Sequence, residues 1–288
     1  MTVSAQKVTK MRVWVGDQIA YQKNIEQVDS ITFVEIVDGE LSGEFSVSES
    51  QKVHFSQGNL QYQASTDTWR FAASQYDMIG DDNKSISSSY SGWIDLFGWG
   101  TGNNPTKTST ASYSYETFVD WGANAISNGG NEAGRWRTLS SEEWAYILFN
   151  RPDAATLFGF GSVNGVNGVI LLPDNWKLPK DATFSAGITQ GWVLKTDMYY
   201  NDSGDNFSHN TYTLVQWYAM EDAGAVFLPA AGYRSRSVMF DAGSKGYYYT
   251  PTPYSGLTAY FLFFGPYAFH PYGSNQERKC GMSVRLAR

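Results

Sequence analysis

The sequence has one cysteine, Cys280, and only three histidines among its 288 residues. A lone cysteine excludes an intrachain disulfide and any zinc site built from several cysteines. His54, His209 and His270 are scattered along the chain and do not show the ligand spacing of a metal motif. We therefore expect no disulfide framework, no metal site and no cofactor.

Long apolar runs and clusters of positive charge are also missing. No segment approaches the roughly 18 apolar residues of a membrane helix, and Pro266 and Pro271 interrupt the one apolar candidate. The net charge is -7, the isoelectric point is near 5.0, and Lys and Arg form no cluster. Nucleic-acid binding normally needs a basic patch. We expect neither a membrane span nor a nucleic-acid partner.

The residues that are abundant, Tyr, Trp, Gly, Ser and Asn, predict many short strands joined by ordered loops. Residues 11–37 alternate apolar and polar side chains well enough for two or three strands turned at Gly16 and Asp17. The alternation restarts after Gly39. We therefore predict a small β-rich lead segment, residues 1–44, and one large domain, residues 45–288.

Two helices are predicted within the large domain. Ser140 and Glu143 have the spacing of a capping box, and Pro152 would end the helix that they begin. A weaker apolar pattern predicts a second helix over residues 114–127, and residues 169–172 predict a buried strand. Two helices among many strands make an α+β fold.

The sequence offers little catalytic chemistry. Asp202, Asp205 and Asn206 could offer oxygens to calcium, but their loop lacks the twelve-residue pattern with a terminal Glu. The alternative interpretation is a polar surface loop. Cys280 follows two basic residues that could lower its pKa, although a lone thiol near a chain end is usually incidental. We predict no catalytic residue and no enzyme activity.

A segment near the C-terminus is aromatic and uncharged. Residues 246–275 contain no Lys, Arg, Asp or Glu, yet they include eleven rings of Tyr and Phe. These rings could form the core of a final hairpin. They could also form a binding surface, because Tyr and Phe supply large contact area at a low entropy cost. Eleven rings exceed what two short strands can bury, so we favour the binding surface.

Several phrases together resemble a known family: FSQGNLQYQASTDTWRFAASQYD, WIDLFGWGT, WRTLSSEEW, VNGVNGVILLPDNW, FLPAAGYR, GYYYTPTPYSGLTAYFLFF and GMSVRLAR. They resemble the C-type-lectin-like domains of secreted and surface proteins of Bacteroidetes-type bacteria, which are related to the Fibrobacter major paralogous and formylglycine-generating-enzyme groups. The resemblance covers about residues 45–288. It implies a C-type-lectin-like fold with many short strands and two helices, preceded by the β-rich lead segment.

Within that superfamily the C-terminal phrases most resemble the variable proteins of diversity-generating retroelements. The resemblance implies that a region of about residues 249–280 is rewritten by adenine-directed mutagenesis and displayed for ligand binding. An AAC codon changed only at its adenines never encodes Lys, Glu, Gln, Trp or Met. All five residue types are missing from residues 246–275, as this mechanism would require.

Strand alternation and the family pattern together select the displayed residues. In a strand over residues 259–264, Tyr260, Leu262 and Phe264 would share one face. The family pattern keeps Leu262 and Phe264 in the core, so Phe261 and Phe263 would be displayed. The predicted ligand-binding, variable residues are Tyr249, Thr250, Ser255, Gly256, Leu257, Phe261, Phe263, Tyr267, Phe269, His270, Tyr272, Gly273, Ser274 and Cys280.

The resemblance implies a non-enzymatic receptor-binding or adhesin-like protein. Its ligand would be an unidentified macromolecule, with a protein favoured over a glycan. The protein would lie at the cell surface or outside the cell, as a lipoprotein or pilus component in its full precursor, or alternatively on a phage particle. One alternative is a surface glycan-binding or adhesin domain of fixed sequence. An enzyme like the formylglycine-generating relatives is disfavoured, because those use a cysteine pair and only Cys280 exists here.

Overall fold

The computed structural model describes residues 10–15, 18–28, 37–205 and 207–288, and the chain divides into two compact units, Met1–Glu35 and Ile36–Arg288. The first unit contains an antiparallel hairpin of β1 (Lys10–Val15) and β2 (Gln18–Asn24). The hairpin confirms two of the strands predicted over residues 11–37. The predicted turn at Gly16 and Asp17, and any third strand over residues 29–36, lie outside the described residues.

The second unit contains the remaining elements, which are short. Its strands are β3 (Glu40–Ser46), β4 (Lys52–Ser56), β5 (Leu60–Gln63), β6 (Thr68–Phe71), β7 (Trp93–Ile94), β8 (Arg137–Thr138), β9 (Phe158–Val163), β10 (Val166–Leu171), β11 (Val193–Lys195), β12 (Met198–Tyr200), β13 (Thr211–Tyr212), β14 (Val226–Pro229), β15 (Tyr233–Ser235), β16 (Val238–Phe240), β17 (Gly246–Pro253), β18 (Ala259–Phe264), β19 (Ala268–Gly273) and β20 (Leu286–Ala287). Its helices are α1 (Ser141–Ala145), which continues as a π-helical turn over Tyr146–Asn150, and α2 (Leu214–Asp222).

The strands form several small sheets instead of one large one. Their orders are β3-β4-β20-β8, β6-β5-β7, β13-β9-β10-β14, β15-β16 and β11-β12-β19-β18-β17. The last strand, β20, pairs with both β4 and β8, so the two ends of the second unit meet in one sheet. Small sheets with few helices confirm the α+β class.

The division between the units lies earlier in the chain than the predicted boundary near residue 44. The reason is the pairing of β3 with β4, from Glu40 opposite Ser56 to Ser46 opposite Lys52. Leu41 and Phe45, on β3, are buried in the same apolar cluster as Phe55 on β4. Residues 40–46 therefore belong to the large unit.

The predicted capping box begins α1. The Ser140 hydroxyl accepts from the Glu143 backbone N–H at 3.2 Å, and the Glu143 carboxylate accepts from the Ser140 N–H at 2.8 Å. The cap directs Trp144 into the core, where it is almost fully buried. The helical turns end at Asn150, before Pro152, as predicted. This helix is specified by contacts within one turn.

The helix predicted over residues 114–127 is wrong. This stretch has only single 3₁₀ turns, one of them over Trp121–Ala123. The Asp120 carboxylate accepts from the backbone N–H groups of Gly122 and Thr138, each at 3.0 Å. A side chain that binds nearby backbone groups competes with a helix, and here it ties the turn to β8.

The second helix is instead α2. Thr213 and Gln216 form a second capping box, a signal that is visible in the sequence. The helix was missed because its apolar residues do not follow one face. Trp217 and Met220 are buried, whereas Val215 is 81% exposed.

The five-stranded sheet is covered on both faces. Tyr248, Leu262, Phe264 and Phe269 pack in the apolar cluster that contains Trp144. Side chains on the opposite face pack in a second cluster with Trp99 and Trp121; they are Tyr247, Tyr249, Ala259 and Phe261. Most rings of the aromatic segment are therefore core. Residues 169–172, predicted to be a buried strand, are also buried, and residues 169–171 lie in β10.

Replacing Ser140 by Ala should lower the free energy of unfolding by about 1 kcal/mol, because the N-cap hydrogen bond of α1 is lost. Urea denaturation measures this change. Ser89→Ala is the matched control, since Ser89 is exposed and caps no helix. Equal effects of the two substitutions would show that the capping box does not stabilise α1.

Burial raises the pKa of Asp95 to about 6. The carboxylate also accepts hydrogen bonds from Ile79 and Asn83, which act in the opposite direction because they favour the charged form. The folded-state pKa lies above the unfolded value of about 3.9. Asp95 therefore stabilises the fold most at low pH, and this contribution is lost as the pH rises from about 4 to about 6. Replacing Asp95 by Asn removes the titration.

The free energy of unfolding of the Asp95→Asn variant, relative to the wild type, should rise by about 2 kcal/mol between pH 4 and pH 7. Denaturant titrations across this range measure the difference. Asp202→Asn, at an exposed position, should leave the pH profile unchanged. A constant difference between Asp95→Asn and the wild type would contradict the assigned burial effect.

Candidate binding surface

The loop between β17 and β18 holds three of the predicted ligand-binding residues that are exposed. Leu257 is 49% exposed, its neighbours Ser255 and Gly256 are also exposed, and Tyr254 before them is 57% exposed. The Ser255 hydroxyl accepts from the backbone N–H groups of Leu257 at 3.3 Å and Thr258 at 3.1 Å. This local turn fixes the backbone that presents these side chains.

Arg278 holds this loop against the rest of the protein. Its guanidinium donates to the backbone oxygens of Ser255 at 2.6 Å, Thr258 at 3.1 Å and Tyr115 at 3.2 Å. It also lies 4.1 Å from the centre of the Trp99 ring. Arg278 is only 5% exposed. One buried cation thus joins this loop to the backbone at Tyr115.

Three tyrosines contact one another beside this loop. The ring centres of Tyr254 and Tyr260 are 5.1 Å apart, and those of Tyr260 and Tyr272 are 5.6 Å apart, both edge to face. This geometry is favourable for aromatic pairs. Tyr260 and Tyr272 are half-buried. We call the set Tyr254, Ser255, Gly256, Leu257, Tyr260 and Tyr272 the tyrosine surface.

Two carboxylates, Glu142 and Asp197, lie near the tyrosine surface. The Thr252 hydroxyl lies 3.5 Å from a Glu142 carboxylate oxygen and accepts from the Ser141 N–H at 3.3 Å. Burial, together with the nearby carboxylates of Glu142 and Asp197, raises the pKa of Tyr272. Its phenol stays neutral at physiological pH and can donate a hydrogen bond. The surface combines apolar ring faces, hydroxyl donors and an acidic border.

Phe263 and His270 lie on the other face of the sheet. They face each other across β18 and β19, with ring centres 5.7 Å apart, and both are half-buried. Burial lowers the pKa of His270, although Asp197 acts in the opposite direction. Alternation along β18 puts Tyr260 on the face opposite Phe263. The sheet therefore separates this pair from the tyrosine surface.

Tyr267 lies at the opposite end of the sheet from the exposed loop. It is in the turn between β18 and β19 and is 56% exposed. The six residues of β18 separate it from the loop by about 20 Å. Ser274 directly follows β19, at the end where Tyr272 lies, and is half-buried. The structure thus brings Ser255, Gly256, Leu257 and Tyr272 together and leaves Tyr267 apart.

The structure buries six of the fourteen predicted ligand-binding residues, so their predicted display is wrong. They are Tyr249, Thr250, Phe261, Phe269, Gly273 and Cys280. The reason is the cover on both faces of the sheet. Alternation correctly separated Phe261 from Leu262, but the face that was expected to be open packs against Trp99 and Trp121.

Particular contacts hold these residues inside. The Tyr249 hydroxyl donates to the Cys280 backbone oxygen at 2.9 Å, and the Thr250 hydroxyl donates to the Tyr260 oxygen at 2.8 Å. A Cβ at Gly273 would lie 2.3 Å from the Phe261 ring, so that ring occupies the side-chain space. Phe269 packs against the Phe158 and Phe160 rings.

Cys280 does not have the reactive character that its basic neighbours suggested. Burial raises the pKa of its thiol, whereas the sequence pattern indicated a lowered value. The nearby Arg278 guanidinium is occupied with backbone oxygens. Cys280 is a buried, free thiol.

Sequence reasoning missed Tyr254, Tyr260, Glu142 and Thr252 as parts of this surface. A signal existed for Tyr254, which lies between Pro253 and a Ser-Gly pair and is therefore in a turn. Tyr260 lacked such a signal. It shares its face with core residues and reaches the surface because it lies near the end of β18.

Asp205, from the loop considered for calcium, contacts nearby residues of the protein. The Asp205 carboxylate accepts from the Phe207 N–H at 2.6 Å and lies 3.4 Å from the His209 imidazole. Asn206 lies outside the described residues. Within the described ranges, no three His, Cys, Asp or Glu side chains are grouped to hold a metal ion. None of the described helices is long and apolar enough to cross a membrane.

The chain matches no protein-family model, no curated protein and no solved structure.

Replacing Arg278 by Gln should lower the free energy of unfolding by about 2 kcal/mol, because charged hydrogen bonds to three buried or half-buried oxygens are lost. It should also speed amide hydrogen exchange in residues 254–258. Lys180→Gln is the control, since Lys180 is exposed and distant in sequence. Unchanged exchange in the loop would contradict the role given to Arg278.

Proposed function

We propose that this chain is a non-enzymatic binding protein of the receptor-binding or adhesin kind, and that the tyrosine surface contacts its ligand. The observation that carries the proposal is the edge-to-face contact of Tyr254, Tyr260 and Tyr272 at an exposed end of the sheet. Tyrosine offers a large contact area and a hydroxyl donor at a low entropy cost, which is why it dominates antibody loops.

Rigidity supports the same function. A ligand-binding loop that is already ordered loses little entropy when the ligand binds. Here the Ser255 hydroxyl accepts a hydrogen bond from the Thr258 N–H within the turn, and Arg278 donates to the Ser255 backbone oxygen. The tyrosine surface is therefore suited to binding without rearrangement.

The acidic border selects among ligands. Glu142 and Asp197 both act on Tyr272 electrostatically, and the chain as a whole carries a net charge of -7. A partner that presents Lys or Arg beside apolar groups would complement this charge, and its cations could lie over the tyrosine faces. We therefore propose a protein ligand with a basic and apolar contact patch.

A glycan is the second candidate, because the outward ring of Tyr254 is available for stacking against a sugar. An array of purified extracellular proteins and a glycan array, probed with the same labelled protein, distinguish the two ligand classes.

The proposal includes the C-type-lectin-like fold and diversification of residues 249–280 by a retroelement. Two short helices among many short strands are consistent with that fold. Buried side chains cannot contact a ligand, so only the exposed and half-buried variable positions can alter ligand binding directly. They are Ser255, Gly256, Leu257, Tyr272 and Ser274 near the tyrosine surface, with Phe263, Tyr267 and His270 elsewhere on the sheet.

The proposed location is the cell surface or the extracellular space, with a phage particle as the alternative. Sequencing the end of this gene and its flanking DNA across isolates tests the diversification separately from ligand binding. Substitutions at the exposed positions, matched to adenines in a nearby repeat, would support it. A constant segment would remove diversification and leave a fixed binding surface.

Replacing Tyr254 or Tyr260 by Ala should weaken binding to a ligand found on either array by at least about 30-fold, since a central aromatic contact contributes about 2 kcal/mol or more. Biolayer interferometry measures the affinities. Tyr218→Ala, at a 46% exposed tyrosine on α2, is the matched control. Equal affinities for all three variants, each shown to be folded, would exclude the tyrosine surface as the binding site.

A further inference from the structure

A basic cavity opens on the β15–β16 hairpin. It has a volume of about 250 Å³, and four cations line it: Lys84, Arg234, Arg236 and Lys279. No carboxylate is among its lining residues, all of which lie within the described ranges. We call it the arginine pocket. The arginine pocket is thus a local excess of positive charge in a chain whose net charge is -7.

Arg234 is the unusual member of the arginine pocket. It is 2% exposed, yet its Nε and one terminal nitrogen have no hydrogen-bond partner among the described residues. Its other terminal nitrogen donates to the Arg236 backbone oxygen at 2.8 Å. No ion pair in the described part of the chain involves Arg234. A buried guanidinium without an anion is destabilising.

The groups near Arg234 do not neutralise it. Tyr115, Tyr249 and Cys280 are its electrostatic neighbours, and burial raises the pKa of each. All three are therefore neutral at physiological pH. Burial also lowers the pKa of Arg234 itself, which reflects the cost of leaving the charge without a partner.

The other three cations differ in how they are paired. Lys84 lies 2.8 Å from Asp81, and Lys279 lies 2.5 Å from Glu277. Arg236 is exposed at the turn of the hairpin and, within the described ranges, has no ion pair. The two lysines are thus paired with carboxylates, whereas neither arginine forms an ion pair within the described ranges. Glu277, the partner of Lys279, also interacts electrostatically with Arg236.

The remaining polar lining consists of hydroxyl residues, namely Thr108, Ser109, Thr110 and Ser237. Hydroxyl and guanidinium groups are both hydrogen-bond donors, and guanidinium matches the oxygens of phosphate or sulfate in paired geometry. A volume of about 250 Å³ also leaves space for several water molecules, each of which occupies about 30 Å³. The space thus suits a small anion with part of its hydration or one attached group.

We propose that the arginine pocket binds a tetrahedral oxyanion, phosphate or sulfate, as a free ion or as the end group of a larger ligand. The anion would complement Arg234 and Arg236 and accept hydrogen bonds from the lining hydroxyls. This site does not depend on the function assigned to the tyrosine surface.

Thermal unfolding of the full chain in sodium sulfate or sodium phosphate tests the proposal, with sodium chloride keeping the ionic strength constant. A site that binds only the folded state raises Tm in a saturable way. We expect this rise with sulfate and phosphate, and at most a weak rise with acetate, which is planar. The same Tm in all salts would overturn the proposal.

Two variants locate the effect. The double variant Arg236→Gln, Lys279→Gln should weaken the apparent affinity for sulfate at least tenfold, and Arg234→Met should abolish the response. Arg234→Met should still fold, because an apolar side chain of similar size often replaces a buried charge without loss of stability. If it does not fold, the double variant alone decides.

Lys180→Gln is the control, since it removes an exposed charge outside the arginine pocket. A sulfate response that survives in the double variant, or disappears in Lys180→Gln, would overturn the proposal. Glucose 6-sulfate and glucose 6-phosphate then identify the source. An affinity equal to that for the inorganic ion indicates that the arginine pocket accepts an end group, and a loss of affinity indicates a free ion.

Discussion

The burial of both faces of β17 and β18 is the constraint on which the rest of the structure depends. One face packs against Trp144 and its neighbours, and the other packs against Trp99 and Trp121. A small residue is required where a ring from one strand lies over the neighbouring strand. At Gly246, opposite Phe264, a Cβ would lie 2.1 Å from the Phe264 ring. In a sheet enclosed in this way, the most exposed side chains lie at its ends and loops, and the tyrosine surface lies there.

Buried arginines in this region have two different environments. Arg278 donates to three backbone oxygens and lies against Trp99, so its charge is compensated by dipoles and an aromatic face. Arg234 is equally buried, but two of its nitrogens have no hydrogen-bond partner in the described part of the chain. The same residue type therefore orders a loop in one place and lines an anion-accepting cavity in the other. The difference is the number of oxygens within reach of each guanidinium.

Part of the tyrosine surface could be predicted from the sequence because turns contain characteristic residues. Ser255 and Gly256 follow a proline and must lie in a turn, and turns are exposed. The display of Phe261 and Phe269 could not be judged in this way. Alternation shows which side chains share a face, but it does not show whether that face is covered. The covering rings, such as Trp121, are more than 100 residues away in the sequence.

The sequence by itself determined the features that arise within a few residues: the α+β class, the capping box of Ser140 and Glu143, the turn around Ser255, and the alternation of Leu262 with Phe261. Tertiary structure decided which rings are core, which tyrosines meet, and that Arg234 is buried without a carboxylate partner among the described residues. The physical reason is the separation along the chain of the groups that interact. Caps and turns are local hydrogen bonds, whereas burial and charge pairing depend on segments that folding brings together from distant parts of the chain.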